Sequence, residues 1–174
     1  MSVVEIVKVY REHLPSLRLI GKRYADGDRC PDGGFGGKWE EWFRRDMFAP
    51  LHAIGLLPEN GDAYVGFMRC ATGFEYWIGA FLPAATPVPD GYASLDLPAS
   101  DIGTCWLHGR QDTGELYGME PHAMCMAKIR EAGWQPAEKA WSFERYNCPR
   151  FTTPDPDGMV ILDYCIAITN ETGE

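Results

Sequence analysis

Residues 63–83 read AYVGFMRCATGFEYWIGAFLP. Aromatic and β-branched residues are dense on both sides of the ATG segment at 71–73, which has the length and composition of a tight turn. Two strand-like runs joined by so short a turn predict a β-hairpin over 63–70 and 74–83. The rest of the fold can be worked out from this hairpin, because a similar stretch occurs near the C-terminal end of the chain.

Two short matches indicate that the chain contains an internal duplication. EYWI at 75–78 resembles DYCI at 163–166, which lies 88 residues later, and the Leu-Pro pairs at 14–15 and 97–98 lie 83 residues apart. Each match alone is weak, but the predicted elements also follow the same order in both halves. We therefore expect an α+β fold made by duplication.

The length of 174 residues is that of a single domain. We expect one domain over residues 1–174, with internal repeats at about 1–85 and 90–174. Besides the hairpin, strands are predicted at 3–10, 17–24, 91–98, 101–109, 142–148 and 159–169. With one helix for about four strands in each half, helices can cover only one face of a sheet. The other face must be solvated, paired with a partner, or shaped into a ligand cleft.

Two helices are predicted, one in each half. The first is expected over 38–54, because its apolar residues fall on one stripe with charges opposite. The stripe consists of Trp39, Trp42, Phe43, Met47 and Leu51. Pro50 should bend or end this helix near its last turn. The second helix is expected from 115 or 121 to 132, with Gly133 as its C-terminal cap.

The composition argues against several classes of function. A formal net charge of −9 disfavours direct nucleic-acid binding, which needs clustered Lys and Arg. The N-terminal stretch has charges and no long apolar run, so we expect neither a signal peptide nor a membrane span. We therefore expect the protein to be cytoplasmic. The six cysteines are scattered and are interpreted as reduced thiols. No phosphate loop, dinucleotide fingerprint or metal motif occurs, so no cofactor or metal is expected.

The sequence also resembles the GyrI-like (gyrase-inhibitory-protein-like) small-molecule-binding domains, which are related to the effector-binding domains of multidrug-responsive transcription regulators. The resemblance covers most of the chain and depends on the order and separation of a few segments. These segments are YVG at 64–66, EYWIG at 75–79, YASLDLPA at 92–99, TCWLHG at 104–109 and FERY at 143–146.

The resemblance implies how the domain is built and whether a DNA-binding domain accompanies it. The architecture is two strand-helix-strand-strand repeats in a curved antiparallel sheet, with the two helices on its convex face and an aromatic cleft between the repeats. Full-length regulators carry a helix-turn-helix domain beside this module, and no such segment fits this sequence. We therefore expect a stand-alone module that does not bind DNA directly.

The resemblance also implies that Glu144 faces the cleft. Strand alternation puts Glu144 and Tyr146 on one face, and Phe143 and Arg145 on the other. If Phe143 packs beneath the helices, Glu144 points to the opposite, concave face. A carboxylate among aromatic rings is partly desolvated, which raises its pKa unless a cation compensates. The competing interpretation is a surface Glu144 paired with Arg145 or Lys139.

Other aromatic residues are candidates for the cleft, although core packing is the default for a lone Trp. Trp77 and Trp106 are favoured because they lie on central strands of the two halves. Tyr76 and Tyr117 are weaker candidates, and Tyr117 lies where a loop can fold over a ligand. Trp39 follows a glycine-rich loop and is assigned either to a lid or to anchoring its helix.

Two functions suit such a cleft. In the first, the protein binds hydrophobic, often cationic aromatic compounds, with Glu144 charged and aromatic faces against the cation. In the second, which the resemblance implies for some stand-alone members, the protein hydrolyses the strained cyclopropane of DNA-alkylating antibiotics. Glu144 would then be the general base and Tyr146 would donate a hydrogen bond. Gyrase or another protein partner, bound through the acidic surface, has the least support.

Overall fold

The computed structural model describes residues 4–55, 63–138, 141–146 and 149–169. Within these ranges the chain forms eight β-strands and three α-helices. The first half contains β1 Glu5–Leu14, β2 Leu17–Tyr24, a 3-10 turn at Asp26–Asp28, α1 Gly36–Arg44, α2 Ala49–Ile54, β3 Tyr64–Cys70 and β4 Phe74–Pro83. The second half contains β5 Ala93–Leu97, β6 Ser100–Arg110, α3 Met119–Glu131, β7 Ser142–Tyr146 and β8 Met159–Ile168.

All eight strands form one curved antiparallel sheet in the order β1-β6-β8-β7-β3-β4-β2-β5. The predicted hairpin is β3–β4, and it pairs through β3 with β7 at the centre of the sheet. The first strand of each half crosses to the outer edge of the other half, since β1 pairs with β6 and β5 pairs with β2. The order is therefore symmetric about the β3–β7 junction. The expected repeats over about 1–85 and 90–174 stay a prediction, and this symmetric strand order is what a duplication would produce.

One face of the sheet carries the three helices. α1 and α2 pack against a core that includes Ile78, and α3 packs against a core that includes Cys105. Cross-strand register connects these two residues through Gly66, Glu144 and Tyr164. Because directly opposed residues of antiparallel strands point the same way, all five lie on the helix-covered face. The expectation that helices cover one face is confirmed.

The opposite face has an apolar core of its own. The Phe143 ring is fully buried there and meets the Phe81 ring edge-on, with ring centroids 5.0 Å apart. Leu14 and Leu97, at the ends of β1 and β5, belong to the same core. Phe143 therefore packs away from the helices, and the expectation that it lies beneath them is wrong. β7 is buried on both faces, so alternation shows which residues share a face without showing which face the helices cover.

The helix predicted over 38–54 is two helices. α1 ends before Asp46, whose φ of 52° is left-handed, and α2 begins three residues later. Pro50 lies in the first turn of α2, where its missing N–H has no intrahelical partner to lose, so it begins a helix instead of ending one. Phe43, predicted on the buried stripe, is 53 % exposed and packs at the edge of the core against Tyr64.

The other predicted elements lie within a few residues of the observed ones. The second helix begins at Met119, between its two predicted starts, and Gly133 follows it with a positive φ of 86°, as a C-terminal cap requires. β1 and β6 are longer than predicted. The predicted end of the seventh strand, at 147–148, lies outside the described residues.

Candidate functional site

β7 lies on the floor of a groove between α1 and α3. On one side, a β-carbon on Gly66 of β3 would lie 3.2 Å from the Trp39 ring of α1. On the other side, a β-carbon on Gly103 of β6 would lie 2.9 Å from Ile129 of α3. β7 and β8 separate these two strands in the sheet, so they form the floor between the helices. Glu144 is on the helix-covered face and points into this groove, so the expectation that it points away from the helices is wrong.

The Glu144 side chain is buried in this groove, with 7 % of the residue exposed. Burial raises the pKa of Glu144 to about 7, although the hydrogen bond that the Tyr146 hydroxyl donates to Glu144 Oε2 acts in the opposite direction. Within the described residues, no Lys, Arg or His forms an ion pair with Glu144. The groove therefore holds a carboxyl group that is about half ionised at neutral pH.

Three aromatic side chains form a connected group beside Glu144. The Trp39 ring meets the Tyr146 ring edge-on, with centroids 4.9 Å apart, and Trp39 Nε1 donates a 2.9 Å hydrogen bond to the Tyr76 hydroxyl. Gly66 makes room for this group, because a β-carbon there would lie 2.6 Å from the Tyr76 oxygen. Burial, and then the negative charge of Glu144, raise the pKa values of Tyr76 and Tyr146, so both phenols are neutral.

Two more phenols lie on the α3 side of Glu144, close enough for its negative charge to raise their pKa values. Burial, followed by that charge, raises the pKa of Tyr117, a residue that is 37 % exposed. Tyr164 lies opposite Glu144 on β8, and its hydroxyl is 2.7 Å from Nδ1 of His122 on α3. Burial raises the pKa of Tyr164 and lowers the pKa of His122, so both members of this pair are neutral at neutral pH.

The structure brings together most of the candidate residues, but two of them lie elsewhere. Those beside the groove are Glu144, Tyr146, Tyr76, Tyr117 and Trp39. Trp77 is buried in the core of the opposite face, where its Nε1 donates to Glu75. Trp106 is on that face as well, and its Nε1 donates to the Tyr10 hydroxyl. The prediction for these two Trp residues is wrong. Each directly follows a residue that points to the groove, so strand alternation turns the Trp side chain to the other face of the sheet. Lying on a central strand does not determine to which face a side chain points.

Arg145 does not neutralise Glu144. Its guanidinium lies on the opposite face, 3.0 Å from Asp163 and 2.5 Å from Glu12. The interpretation that Glu144 pairs with Arg145 is therefore wrong, and Lys139, the other partner considered, lies outside the described residues.

Among the residues next to Glu144, sequence reasoning missed Tyr164 and Gly66. A signal for Tyr164 was present, because the match between EYWI and DYCI makes it the counterpart of Tyr76, and both tyrosines are close enough to respond to the Glu144 charge. Gly66 carried no such signal. Its role depends on the pairing of β3 with β7, which puts it directly opposite Glu144.

Solved structures share this architecture. SAV2435 bound to tetraphenylphosphonium aligns over 94 % of this chain and 95 % of its own, at 17 % identity and a TM-score of 0.68. A putative bacterial transcription regulation protein from Staphylococcus aureus MU50 aligns over 94 % and 99 %, at 18 % identity and a TM-score of 0.66. The C-terminal domain of EcmrR aligns over 94 % and 98 %, at 8 % identity and a TM-score of 0.53. The chain has the GyrI-like fold.

No family model and no curated protein sequence matches this chain. The GyrI-like fold is therefore established by the structure. Among the residues described, no group of three or more His, Cys, Asp or Glu side chains is arranged to hold a metal ion. No helix in the same part of the chain is long and apolar enough to cross a membrane.

The groove of this GyrI-like fold is open on its α3 side. A pocket of about 420 Å³ lies there, with Ser142 on its floor and His122 and Arg130 of α3 on its wall. Ser142 precedes Glu144 by two positions on the same face of β7, so their Cα atoms are about 7 Å apart. The groove therefore has a closed part over Glu144 and an open part over Ser142.

Proposed function

We propose that the protein binds lipophilic aromatic cations in the groove between α1 and α3, with Glu144 as their charge partner. The observation that supports this most is a buried carboxyl group that no cationic side chain among the described residues neutralises. Burying such a group costs free energy, so an apolar residue would serve a purely structural role better. SAV2435, which has been solved with tetraphenylphosphonium bound, shares the fold.

The chemistry of the groove suits a large and weakly hydrated cation. A phosphonium or quaternary ammonium group has no proton to lose, so an ionised Glu144 is needed to balance its charge. The aromatic faces of Trp39, Tyr76 and Tyr146 would each contribute roughly 0.5 to 2 kcal/mol by cation–π contact. A small, strongly hydrated cation would lose its water shell without gaining comparable contacts.

A ligand has to uncover Glu144, because the carboxyl group is buried in the structure described. Trp39 approaches it from α1 and Tyr117 from the α3 side, and neither residue is fully buried. Tyr117 lies between Gly114 and Gly118, whose φ values of 76° and 99° are both positive. Glycine adopts such conformations without steric cost and changes between conformations easily. We therefore expect the Tyr117 segment to swing aside as the ligand enters.

Tetraphenylphosphonium is a suitable probe for this proposal. It should quench tryptophan fluorescence and bind at one site per chain by calorimetry, and Glu144→Gln should weaken binding by about thirtyfold or more. Glu75→Gln is a matched control, because Glu75 is a buried carboxylate on the opposite face that is paired with Arg69. It should leave the affinity unchanged in a variant shown by circular dichroism to be folded. Equal affinities of the wild type and Glu144→Gln would refute the proposal.

A second candidate function is hydrolysis in the same groove. It is favoured by the Glu144 pKa of about 7 and by the hydrogen bond from Tyr146, which occupies only Oε2 among the described contacts. The other oxygen, Oε1, would take a proton from a water molecule whose oxygen bonds to a cyclopropane carbon. The ring carbon–carbon bond would open, with its electron pair passing to a conjugated carbonyl group of the substrate. The proton held by Glu144 would then pass to that carbonyl oxygen, so the product gains one water and the carboxylate is regenerated.

Mass spectrometry of a cyclopropane-bearing alkylating antibiotic incubated with the protein distinguishes the two functions. An enzyme would form more than one equivalent of a product that has gained one water, and Glu144→Gln would bind the antibiotic without forming it. Recovery of unchanged antibiotic from the wild-type complex would leave binding as the function.

A further inference from the structure

We infer that the open pocket over Ser142, named here the α3 pocket, holds an anionic group of the ligand. The preferred ligand is then an aromatic cation that carries a carboxylate arm. This inference rests on the proposed function, since it places the cationic body over Glu144. Besides Ser142, the polar residues that line the α3 pocket are His122, Arg130 and Gln135.

The α3 pocket carries a positive charge in an otherwise acidic protein. Arg130 lines it and, among the residues that the structure describes, no Asp or Glu does, although the whole chain has a formal net charge of −9. Within the described residues Arg130 forms no salt bridge, whereas Arg145 and Arg150 both pair with Asp163. A guanidinium group binds a carboxylate with two parallel hydrogen bonds, so an anion in the pocket would meet a cation ready to pair with it.

Neutral hydrogen-bond donors accompany the guanidinium. The Tyr164 hydroxyl lies 2.7 Å from Nδ1 of the neutral His122 ring, and in the tautomer in which the phenol donates to Nδ1, the Nε2–H of His122 is left as a donor. The Gln135 amide also lines the pocket and can donate, whereas the Ser142 hydroxyl is hydrogen-bonded to Tyr164. A carboxylate only accepts hydrogen bonds, and this set of donors matches it. An ammonium group would find no carboxylate among the described side chains that line the pocket.

The volume of the α3 pocket and its distance from Glu144 suit a ligand whose anionic arm lies in the pocket while its cationic body lies over Glu144. A volume of about 420 Å³ lies near the lower end of the range for ligand pockets and is ample for an arm that ends in a carboxylate. Ser142 and Glu144 are about 7 Å apart along β7, a distance that a short aliphatic chain spans. Opposite charges at the two ends would also orient the ligand, which discriminates against simple cations.

A matched pair of phosphonium compounds tests this inference. Calorimetry at pH 8 should show that (4-carboxybutyl)triphenylphosphonium binds about five- to tenfold more tightly than its methyl ester, which has the same cation and no anionic arm. Arg130→Gln should remove this preference, and Arg130→Lys should retain part of it. Lys128→Gln is the control, because it removes a positive charge from the same helix at a residue that pairs with Glu131 and does not line the pocket.

Equal affinities of the wild type for the acid and the ester would overturn the inference. A preference that survives Arg130→Gln, or that disappears equally in Lys128→Gln, would overturn it too, since either result traces the preference to something other than the pocket. Arg130 is exposed, so its variants are expected to fold, and thermal unfolding checks this.

Tetraphenylphosphonium separates the two proposals. If it binds in a Glu144-dependent manner while the acid and the ester bind equally, only the inference about the α3 pocket fails. If no phosphonium compound binds, the proposed function fails and this inference fails with it.

Discussion

Replacing Glu144 by Gln should stabilise the protein, and the gain should depend on pH. Burial raises the pKa of Glu144 from an ordinary value of 4.5 to about 7 in the folded protein. Between these values the unfolded chain releases a proton that the folded protein keeps. The free energy of unfolding therefore falls as the pH rises through this window. Below this window the carboxyl group is protonated in both states and does not change the free energy of unfolding. Above it the carboxyl group is ionised in both states, and the loss of unfolding free energy has reached its full size.

The size of the effect follows from the two pKa values. The difference between 4.5 and about 7, at about 1.4 kcal/mol for each pH unit, corresponds to a loss of about 3 kcal/mol in the wild type at pH 8. At pH 5 the same loss is about 1 kcal/mol. Glutamine can still accept the hydrogen bond from Tyr146 and carries no charge, so the variant lacks this loss. The stability difference between the two proteins should therefore grow by about 2 kcal/mol from pH 5 to pH 8.

Urea unfolding of both proteins at several pH values measures this difference. The other titrating groups are common to the two proteins and cancel when their free energies of unfolding are subtracted. Any constant gain or loss from the glutamine amide also cancels, because only the change with pH is compared. An NMR titration of the Glu144 carboxyl carbon gives the same pKa independently.

A stability difference that stays constant from pH 5 to pH 8 would show that Glu144 has an ordinary pKa. It would refute the argument that burial prepares this residue for a cationic ligand. A difference that shrinks as the pH rises would mean that a cationic side chain already stabilises the charge. The expected result would instead identify Glu144 as a residue whose buried charge lowers stability, which is what the proposed binding role requires.

Two further predictions concern the same groove. The affinity for tetraphenylphosphonium should rise about thirtyfold from pH 5.5 to pH 8, because the cation requires an ionised Glu144, whose pKa is about 7. Calorimetry in buffers of different ionisation enthalpy should detect the release of a proton on binding near pH 6. An affinity that does not change with pH would contradict this prediction. Gly66→Ala should abolish binding and lower stability by about 1 to 3 kcal/mol in urea unfolding, because the added carbon would lie 2.6 Å from the Tyr76 oxygen and 3.2 Å from the Trp39 ring. Gly73→Ala is its control, since a β-carbon there meets nothing within 4 Å, and equal effects of the two variants would contradict the account.

Local sequence patterns were sufficient wherever an element depends on its own residues. The hairpin of β3 and β4 was predicted from its composition and its short turn, and Gly133 ends α3 with the positive φ that a cap needs. The break between α1 and α2 was not found, because Pro50 was expected to disrupt the last turn of one helix, whereas proline is also well tolerated in the first turn of a new helix. The left-handed residue that separates the two helices is Asp46, and although Asp adopts this conformation more readily than most residue types, its type alone does not show which Asp of a chain does so.

The candidate site was predicted only in part, because the sequence does not show which face of the sheet the helices cover. Trp77 and Tyr76 are neighbours in the chain, but successive strand residues point to opposite faces, so only Tyr76 reaches the groove. Choosing between them requires knowing which face the helices cover. Trp39 belongs to the site although it lies far from Tyr146 in the sequence, because α1 packs over β3.

The sequence by itself determined the order of the eight strands along the chain, the resemblance to GyrI-like domains, and the fact that Glu144 and Tyr146 share a face. These properties depend on composition and on spacing along the chain. Only the tertiary structure decided that this face lies beneath the helices and that Arg145 pairs on the other side of the sheet. The reason is that β3 and β7 come from different halves of the chain, and their pairing at the centre of the sheet brings Gly66 opposite Glu144.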